Sequence, residues 1–310
     1  MTLDVSHTLF DGITANFTAV GFTNLMSEEP FGYFEGKETG AYFNVANITA
    51  KFGDTSLILG RQLLDTPMFG SFDWLLAPSA FEAYTIVNNS VENLTLMAMY
   101  ITKIRGVNAG DDFTDLTDIN GGDNYILGAT YGKDALSASA WYSNIDAGDY
   151  TQVYVDGGYN FGSVSVAAQY VTTDYATGLD SDAYAVKAET TIGSIGLLAA
   201  VSSVTDAPAG IVERDNFYTS SWNSFASTVG VANEDTLSWK VSASTELAGI
   251  STEVSYAAYG DEGSELDLIL AYDMSDSINL AVIYTSTDYD VNIDEFDAED
   301  ALEVIATYTF

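Results

Sequence analysis

Apolar residues recur at every second position along almost the whole chain, and this period is the one that a β-strand imposes on side chains facing alternate sides. In "NLTLMAMYITKIR", Leu94, Leu96, Ala98 and Tyr100 fall on one side and Thr95, Met97 and Met99 on the other. "TLSWKVSAST" sets Leu237, Trp239, Val241 and Ala243 against Ser238, Lys240, Ser242 and Ser244. "SINLAVIYTS" opposes Ile278, Leu280, Val282 and Tyr284 to Asn279, Ala281, Ile283 and Thr285. The last segment gives Leu302, Val304, Ala306, Tyr308 and Phe310 against Glu303, Ile305 and Thr307. No apolar run reaches the ~18 residues that a membrane-crossing helix needs.

The connections alternate in length. Asp11-Gly12, Gly53-Asp54, Lys133-Asp134, Gly162-Ser163, Gly193-Ser194 and Ala248-Gly249 are tight hairpin signals. Between them lie long acidic connections near 24–39, 105–123, 205–235 and 286–299. The pattern predicts about 17 strands in a meander, among them 82–88, 93–104 and 300–310, with no domain boundary within residues 1–310.

A soluble sandwich or solenoid would bury the apolar row, and a membrane barrel would turn it outward. Strands of about nine to twelve residues suit a tilted bilayer crossing, whereas soluble strands average nearer five or six. Tyr131, Tyr142, Tyr159, Tyr170, Tyr256, Tyr272, Tyr284 and Tyr308 stand near strand ends on the apolar row, as an interfacial aromatic girdle does. The opposite row mixes Ser, Thr, Asn, Gln and charges with Ala, a composition suited to a wet lumen. These features predict a transmembrane antiparallel up-and-down β-barrel, single-domain and located in a bacterial outer membrane. In hydrocarbon every backbone polar group needs an internal partner, so the final strand, ending Tyr308-Thr309-Phe310, is expected to close on the first.

The formal charge is −36, from 45 acids and 9 bases. That balance argues against nucleic acid, whose phosphates need a basic surface, and favours cations. Cysteine is absent, which removes disulfides and thiolate chemistry. His7 is the sole histidine, and it shares its row with Leu3, Val5 and Leu9, away from any inner Ser or Asp that a hydrolase would require. No phosphate-binding glycine loop or zinc spacing is present, so an enzyme is not expected. A β-rich surface adhesin built as a solenoid would need a fixed internal repeat, and the chain has none.

"GRQLLDTPMFGSFDWLLAPSAF", Gly60 to Phe81, resembles the strand and inward-folding third loop of OprD-like porins, with Gly-basic-Gln, then Asp-Thr-Pro, then Leu-Leu-Xaa-Pro. "VNNSVENLTLMAMY", Val87 to Tyr100, is similar to the Campylobacter-type major outer membrane protein of that group. The resemblance implies an 18-stranded barrel, commonly a homotrimer, through which small hydrophilic solutes and ions diffuse. Bacterial single-chain barrels have even strand numbers. The odd count therefore leads to the expectation that a first strand and a signal peptide precede residue 1; "MTLDVSHTLF" itself lacks the basic and apolar stretches of a signal.

Within such a barrel the third loop, about Leu64 to Phe81, is too apolar to lie outside, and folded inward it would narrow the pore. Asp65 and Asp73 would then stand at the constriction, joined by Glu82 from the next strand. Counting phase along each strand puts Lys51, Lys103, Arg105, Lys187 and Lys240 on the lumen row, with Asp156, Glu189, Glu253, Asp267 and Glu303. Arg61 follows the outward row of Leu57 and Leu59, near enough to the strand end to snorkel. Lys103, Arg105 and Lys240 opposite the loop acids would set up a transverse field, and the excess of acids predicts a cation-favouring pore. The alternative is a substrate-selective channel for amino acids or small carboxylates. Asp111, Asp112, Asp115 and Asp118 crowd one outer loop, where oxygen ligands could take Ca2+, although the ordered calcium-loop pattern is missing. No cofactor is required. Acidic outer loops also fit lipopolysaccharide held through divalent ions, so outer-membrane lipid and lipopolysaccharide are the expected surroundings.

Overall fold

The computed structural model describes residues 1–23, 39–72, 77–106, 115–119, 122–214, 216–222, 236–260, 263–289 and 299–309. In chain order the strands are β1 (Thr2–Phe10), β2 (Ile13–Thr23), β3 (Thr39–Phe52), β4 (Thr55–Gln62), β5 (Phe69–Gly70), β6 (Ala80–Val91) and β7 (Leu94–Arg105). There follow β8 (Thr117–Asp118), β9 (Asn124–Lys133), β10 (Leu136–Ile145), β11 (Tyr150–Asn160), β12 (Val164–Tyr175), β13 (Ser181–Ile192) and β14 (Ile195–Asp206). The last are β15 (Val212–Glu213), β16 (Thr236–Leu247), β17 (Ile250–Tyr259), β18 (Gly263–Ser275), β19 (Ile278–Tyr289) and β20 (Glu299–Tyr308). Among the described residues eighteen strands belong to one sheet, and β5 and β15 form a separate two-stranded parallel pair. Among the described residues no helix is long and apolar enough to cross a membrane. Crossing by strands remains, and most of the long ones have the length for it.

The described residues fall into two compact units. In the first, comprising residues 1–132, 139–153 and 211–215, antiparallel pairing runs β1 to β2, β2 to β3, β3 to β4, β4 to β6, β6 to β7, and β7 to β8 and β9. In the second, comprising residues 133–138, 154–210 and 216–310, it runs β12, β13, β14, β16, β17, β18, β19, β20. Each long strand thus pairs with its neighbours in sequence, which is an up-and-down meander. The tight turns fall at the hairpin signals, except that the one expected at Lys133-Asp134 is Asp134-Ala135, one residue later. At Ala248-Gly249 both residues have positive φ, 54° and 83°, as a two-residue turn matched to strand twist requires. Strand β6 runs past the expected end at 88 because Asn88 Nδ2 donates to Thr55 Oγ1 at 2.8 Å and the Asn89 N–H to the Asp54 carbonyl. Polar residues continue a strand when their neighbour satisfies them.

The faces are inverted relative to a soluble protein. Leu96, Trp239 and Val304 are 42%, 43% and 64% exposed. Residues of the other row, including Asn47, Thr85, Ser143, Gln152, Gln169, Ser202, Ser238, Ser255 and Thr285, are buried. Tyr142, Tyr159, Tyr170, Tyr256, Tyr272 and Tyr308 are exposed along the apolar row. An apolar surface this extensive is stable only against lipid. His7 is exposed with Leu3, Val5 and Leu9 on that surface.

Candidate functional site: the inner wall and its two infolded segments

In the first unit the third loop lies against the inner row. Leu64, Met68, Phe69 and Phe72 are buried, and the Phe69 ring packs on Phe81 with centroids 4.9 Å apart. Phe81 belongs to the buried row of Ala83 and Thr85, so these four side chains of the loop cover the inner wall. Ser71 and Ser79 hydroxyls accept from the Leu64 and Phe72 N–H groups and close the loop on itself.

Arg105 fastens the loop. It is 1% exposed; Nη2 donates to Asn44 Oδ1 at 2.8 Å, to the Ala77 carbonyl at 3.3 Å and to the Pro78 carbonyl. The guanidinium also lies 5.1 Å from the centre of the Tyr42 ring. The Asn44 amide reaches Pro78 as well, at 3.0 Å. Asp65 forms a bridge with Gly70 within the loop, and Asp73 lies outside the described residues, with Trp74, Leu75 and Leu76.

Glu82 and Lys103 are brought together, 3.7 Å apart. The register of β6 and β7 slips by one between Glu82 and Ala83, leaving Thr102 as a bulge and pairing Lys103 with Glu82. Glu82 stands between the fully buried Phe81 and Ala83 and in the row of the exposed Tyr84 and Ile86. The slip pairs Lys103 with Glu82 and Arg105 with Ala80; the Lys103 and Glu82 side chains are part-exposed, whereas Arg105, two residues on, is buried against the third loop. Arg61 pairs with Ala46 and Glu82, and its Nη1 donates to the Phe43 carbonyl. Lys51, at the turn end of β3, is exposed on the row of Asn47 and Thr49.

The second unit holds an infolded segment that the hydrophobic pattern did not reveal. Residues 207–210 and 216–222, part of an expected outer loop, dock on the inner row. Tyr175 Oη donates to the Pro208 carbonyl, and the Gly210 N–H donates to Thr173 Oγ1. Gln169 is the central clamp: its Oε1 accepts the Tyr218 N–H at 2.7 Å and its Nε2 donates to the Asn216 carbonyl at 3.2 Å. Thr219 shares a hydrogen bond with Ser202, and Ser221 with Tyr259. The Trp222 N–H donates to Asp267 Oδ2 at 3.3 Å and its Nε1 to Glu303 Oε1 at 3.1 Å. Sequence signals existed, namely a Tyr, a Trp and three hydroxyls clustered in a loop, but no periodicity marks them. In the first unit the same stretch adds Val212–Glu213, paired in parallel with Phe69–Gly70 of the third loop.

Both inner lysines of the second unit engage this segment. Lys240 Nζ donates to the Ser220 carbonyl at 2.7 Å. Lys187 lies 3.3 Å from Glu189 and 4.9 Å from the centre of the Tyr218 ring. Burial, then Asp156 and Glu189, push the Tyr218 phenol up to about 12, so it stays a neutral partner for the lysine. Glu189, Glu253, Asp267 and Glu303 alternate with the outward Val186, Val254, Leu266 and Leu302. Glu265, which phase counting left out, is 1% exposed in the same inner row as Asp267. Glu189 and Glu253 share a polar hollow of about 450 Å³ with Ser165, Ser242 and Ser244.

Of the acidic outer loop, Asp111 and Asp112 lie outside the described residues, and Asp118 is 3.9 Å from Lys103. Asp115 is exposed. Among the described residues no group of three or more ligating side chains is arranged for a metal. Beside the loop, Asp146 accepts the Asp123 N–H and the Asn144 amide, and these bonds hold its carboxyl below the usual range.

An outward apolar row, an inner polar row and loops folded onto the inner wall define an outer-membrane β-barrel channel. The family model described as "outer membrane porin, OprD family" matches residues 26–205, more than half of the chain, and the chain belongs to that family. No curated protein matches it by sequence. Pseudomonas aeruginosa OpdK, solved with vanillate, superposes with a TM-score of 0.80 at 16% identity, covering 99% of this chain and 90% of OpdK. Acinetobacter baumannii OccAB3 gives 0.81 at 14%, covering 100% and 90%, and P. aeruginosa OccD3 gives 0.76 at 18%, covering 96% and 81%. The fold is therefore a transmembrane antiparallel up-and-down β-barrel in the outer membrane, and the protein is a channel for small solutes.

Proposed function

We propose that this channel passes small hydrophilic solutes and ions by passive diffusion and favours cations. The observation that carries the reading is the use made of the bases. Arg105 is spent on the third loop, and Lys187 and Lys240 are engaged by Glu189, Tyr218 and Ser220. Asp156, Glu189, Glu253, Glu265, Asp267 and Glu303 share the inner row of the second unit with those two lysines. A water column walled by carboxylates concentrates cations and repels anions.

The alternative, a channel selective for amino acids or small carboxylates, would use Lys103, Arg105 and Lys240 as a basic ladder. OpdK holds vanillate, but the likeness to it extends to the fold. Here Lys103 is paired with Glu82 and Arg105 is spent on the third loop, which shortens the ladder. Monomers fit this reading better than the trimer implied by the Campylobacter-type resemblance, because OprD-family porins are generally monomeric.

Planar-bilayer reversal potentials in a KCl gradient separate the two readings. A cation-favouring potential is expected, with Glu253→Gln moving it toward zero. An anion-favouring potential would refute the charge argument while leaving the channel intact.

A further inference from the structure

Five strands of the second unit each carry an inner side chain engaged by the 216–222 segment: Gln169 on β12, Lys187 on β13, Ser202 on β14, Lys240 on β16 and Tyr259 on β17. The ladders that join these strands run without a slip in register, so the same face continues at every second residue toward the tight turns. There it opens into the polar hollow of about 450 Å³. Ser165, Glu189, Leu198 and Ser242 are successive cross-strand partners in one row of it, and Thr191, Gly196, Ser244 and Glu253 in the next. Gly196 makes the room, since a Cβ there would come within 2.7 Å of Ser244 Oγ. Among the described residues the side chains of Ser165, Thr191, Ser242, Ser244 and Glu253 hydrogen-bond to no protein group.

We propose that this hollow is a binding site for a polyhydroxylated solute of about monosaccharide size. The proposal rests on the channel reading and names a solute class for it. The volume is that of a cavity that holds a small ligand. Each of the four lining hydroxyls can donate and accept at once, as the hydroxyls of a sugar do. Glu253 adds an acceptor that has no partner, and Glu189, 3.3 Å from Lys187 through Oε2, keeps its other oxygen. Leu198, half-buried between Glu189 and Ser242, gives the C–H face of a sugar ring an apolar seat. An anion would meet two carboxylates. A single ammonium fits less well, because Glu189 and Glu253 lie three strand spacings apart, ~14 Å, and it would meet one carboxylate and leave the hydroxyls unused. A site built to hydrogen-bond hydroxyls rejects a solute that lacks them.

Saturation-transfer NMR of the detergent-solubilised full chain, titrated with D-glucose, tests this. Saturable transfer to the ring C–H protons is expected, and glycerol should displace the sugar. Glu253→Ala should raise the half-saturating concentration about tenfold, the scale of one lost hydrogen bond to a charged acceptor, and Gly196→Val, which fills the hollow, should abolish transfer. Triglyme, a polyether of similar mass without hydroxyl groups, should neither receive saturable transfer nor displace glucose. Equal half-saturation in the native protein and both variants would overturn the proposal. So would displacement by methylammonium at a lower concentration than by glycerol, because the hollow would then be an amine site. Planar-bilayer conductance in KCl reads the channel separately: a conducting protein that takes up no glucose loses the site alone, and a glucose-binding protein that never conducts loses the channel reading alone.

Discussion

Arg105→Met is expected to destabilise the barrel by about 3 kcal/mol or more and to give a larger, noisier single-channel current. The side chain is almost fully buried, and its removal leaves the Asn44 side chain and the carbonyls of Ala77 and Pro78 short of a cationic donor. A hydrogen bond to a charged group contributes about 1.5–3 kcal/mol, and an unsatisfied buried acceptor adds its own penalty. Because all three acceptors tie the third loop to the wall, its freedom and the current should change together. Arg105→Lys keeps the charge but loses the fork, and should fall between the two. Urea unfolding in detergent and planar-bilayer recordings measure both effects; native stability with a native current would remove Arg105 from this role.

The second large effect separates two adjacent residues of β17. Val254, 43% exposed, stands five positions above the turn residue Gly249, about 12 Å up a ~25 Å apolar band. Val254→Arg should cost about 2–4 kcal/mol, the penalty for a cation near the bilayer midplane on a barrel's lipid face. Glu253→Arg, one residue away on the inner row, should change stability by no more than about 0.5 kcal/mol and shift the reversal potential toward anions. Folding titrations into lipid vesicles read the first and zero-current potentials the second. A stability loss at Glu253 matching that at Val254 would show that the two faces do not differ in solvent.

The meander was legible because period, turn residues and strand length agree at every level in segments such as 236–247 and 277–287. The two faces were legible for the same reason, since a strand's alternation fixes both rows once one is assigned. The Asp-Thr-Pro and Leu-Leu-Xaa-Pro marks made the infolded third loop legible as well. The pairing of Lys103 with Glu82 was not legible because a bulge at Thr102 carries no residue signature: "TKIR" reads as an unbroken strand. Residues 216–222 escaped because their attachment is by side-chain and backbone hydrogen bonds to Gln169, Asp267 and Glu303, which follow no period. That Lys187 and Lys240 serve as fasteners depends on Tyr218 and Ser220, partners far away in sequence.

The chain has no cysteine, so single thiols can be placed without background. Val241 and Ser242, neighbours on β16, are predicted to face lipid and water respectively. With a membrane-impermeant, charged thiol reagent added to the reconstituted channel, Ser242→Cys should react and its current should step down, while Val241→Cys should stay unlabelled at full current. Labelling at Val241→Cys with a protected Ser242→Cys would contradict the account.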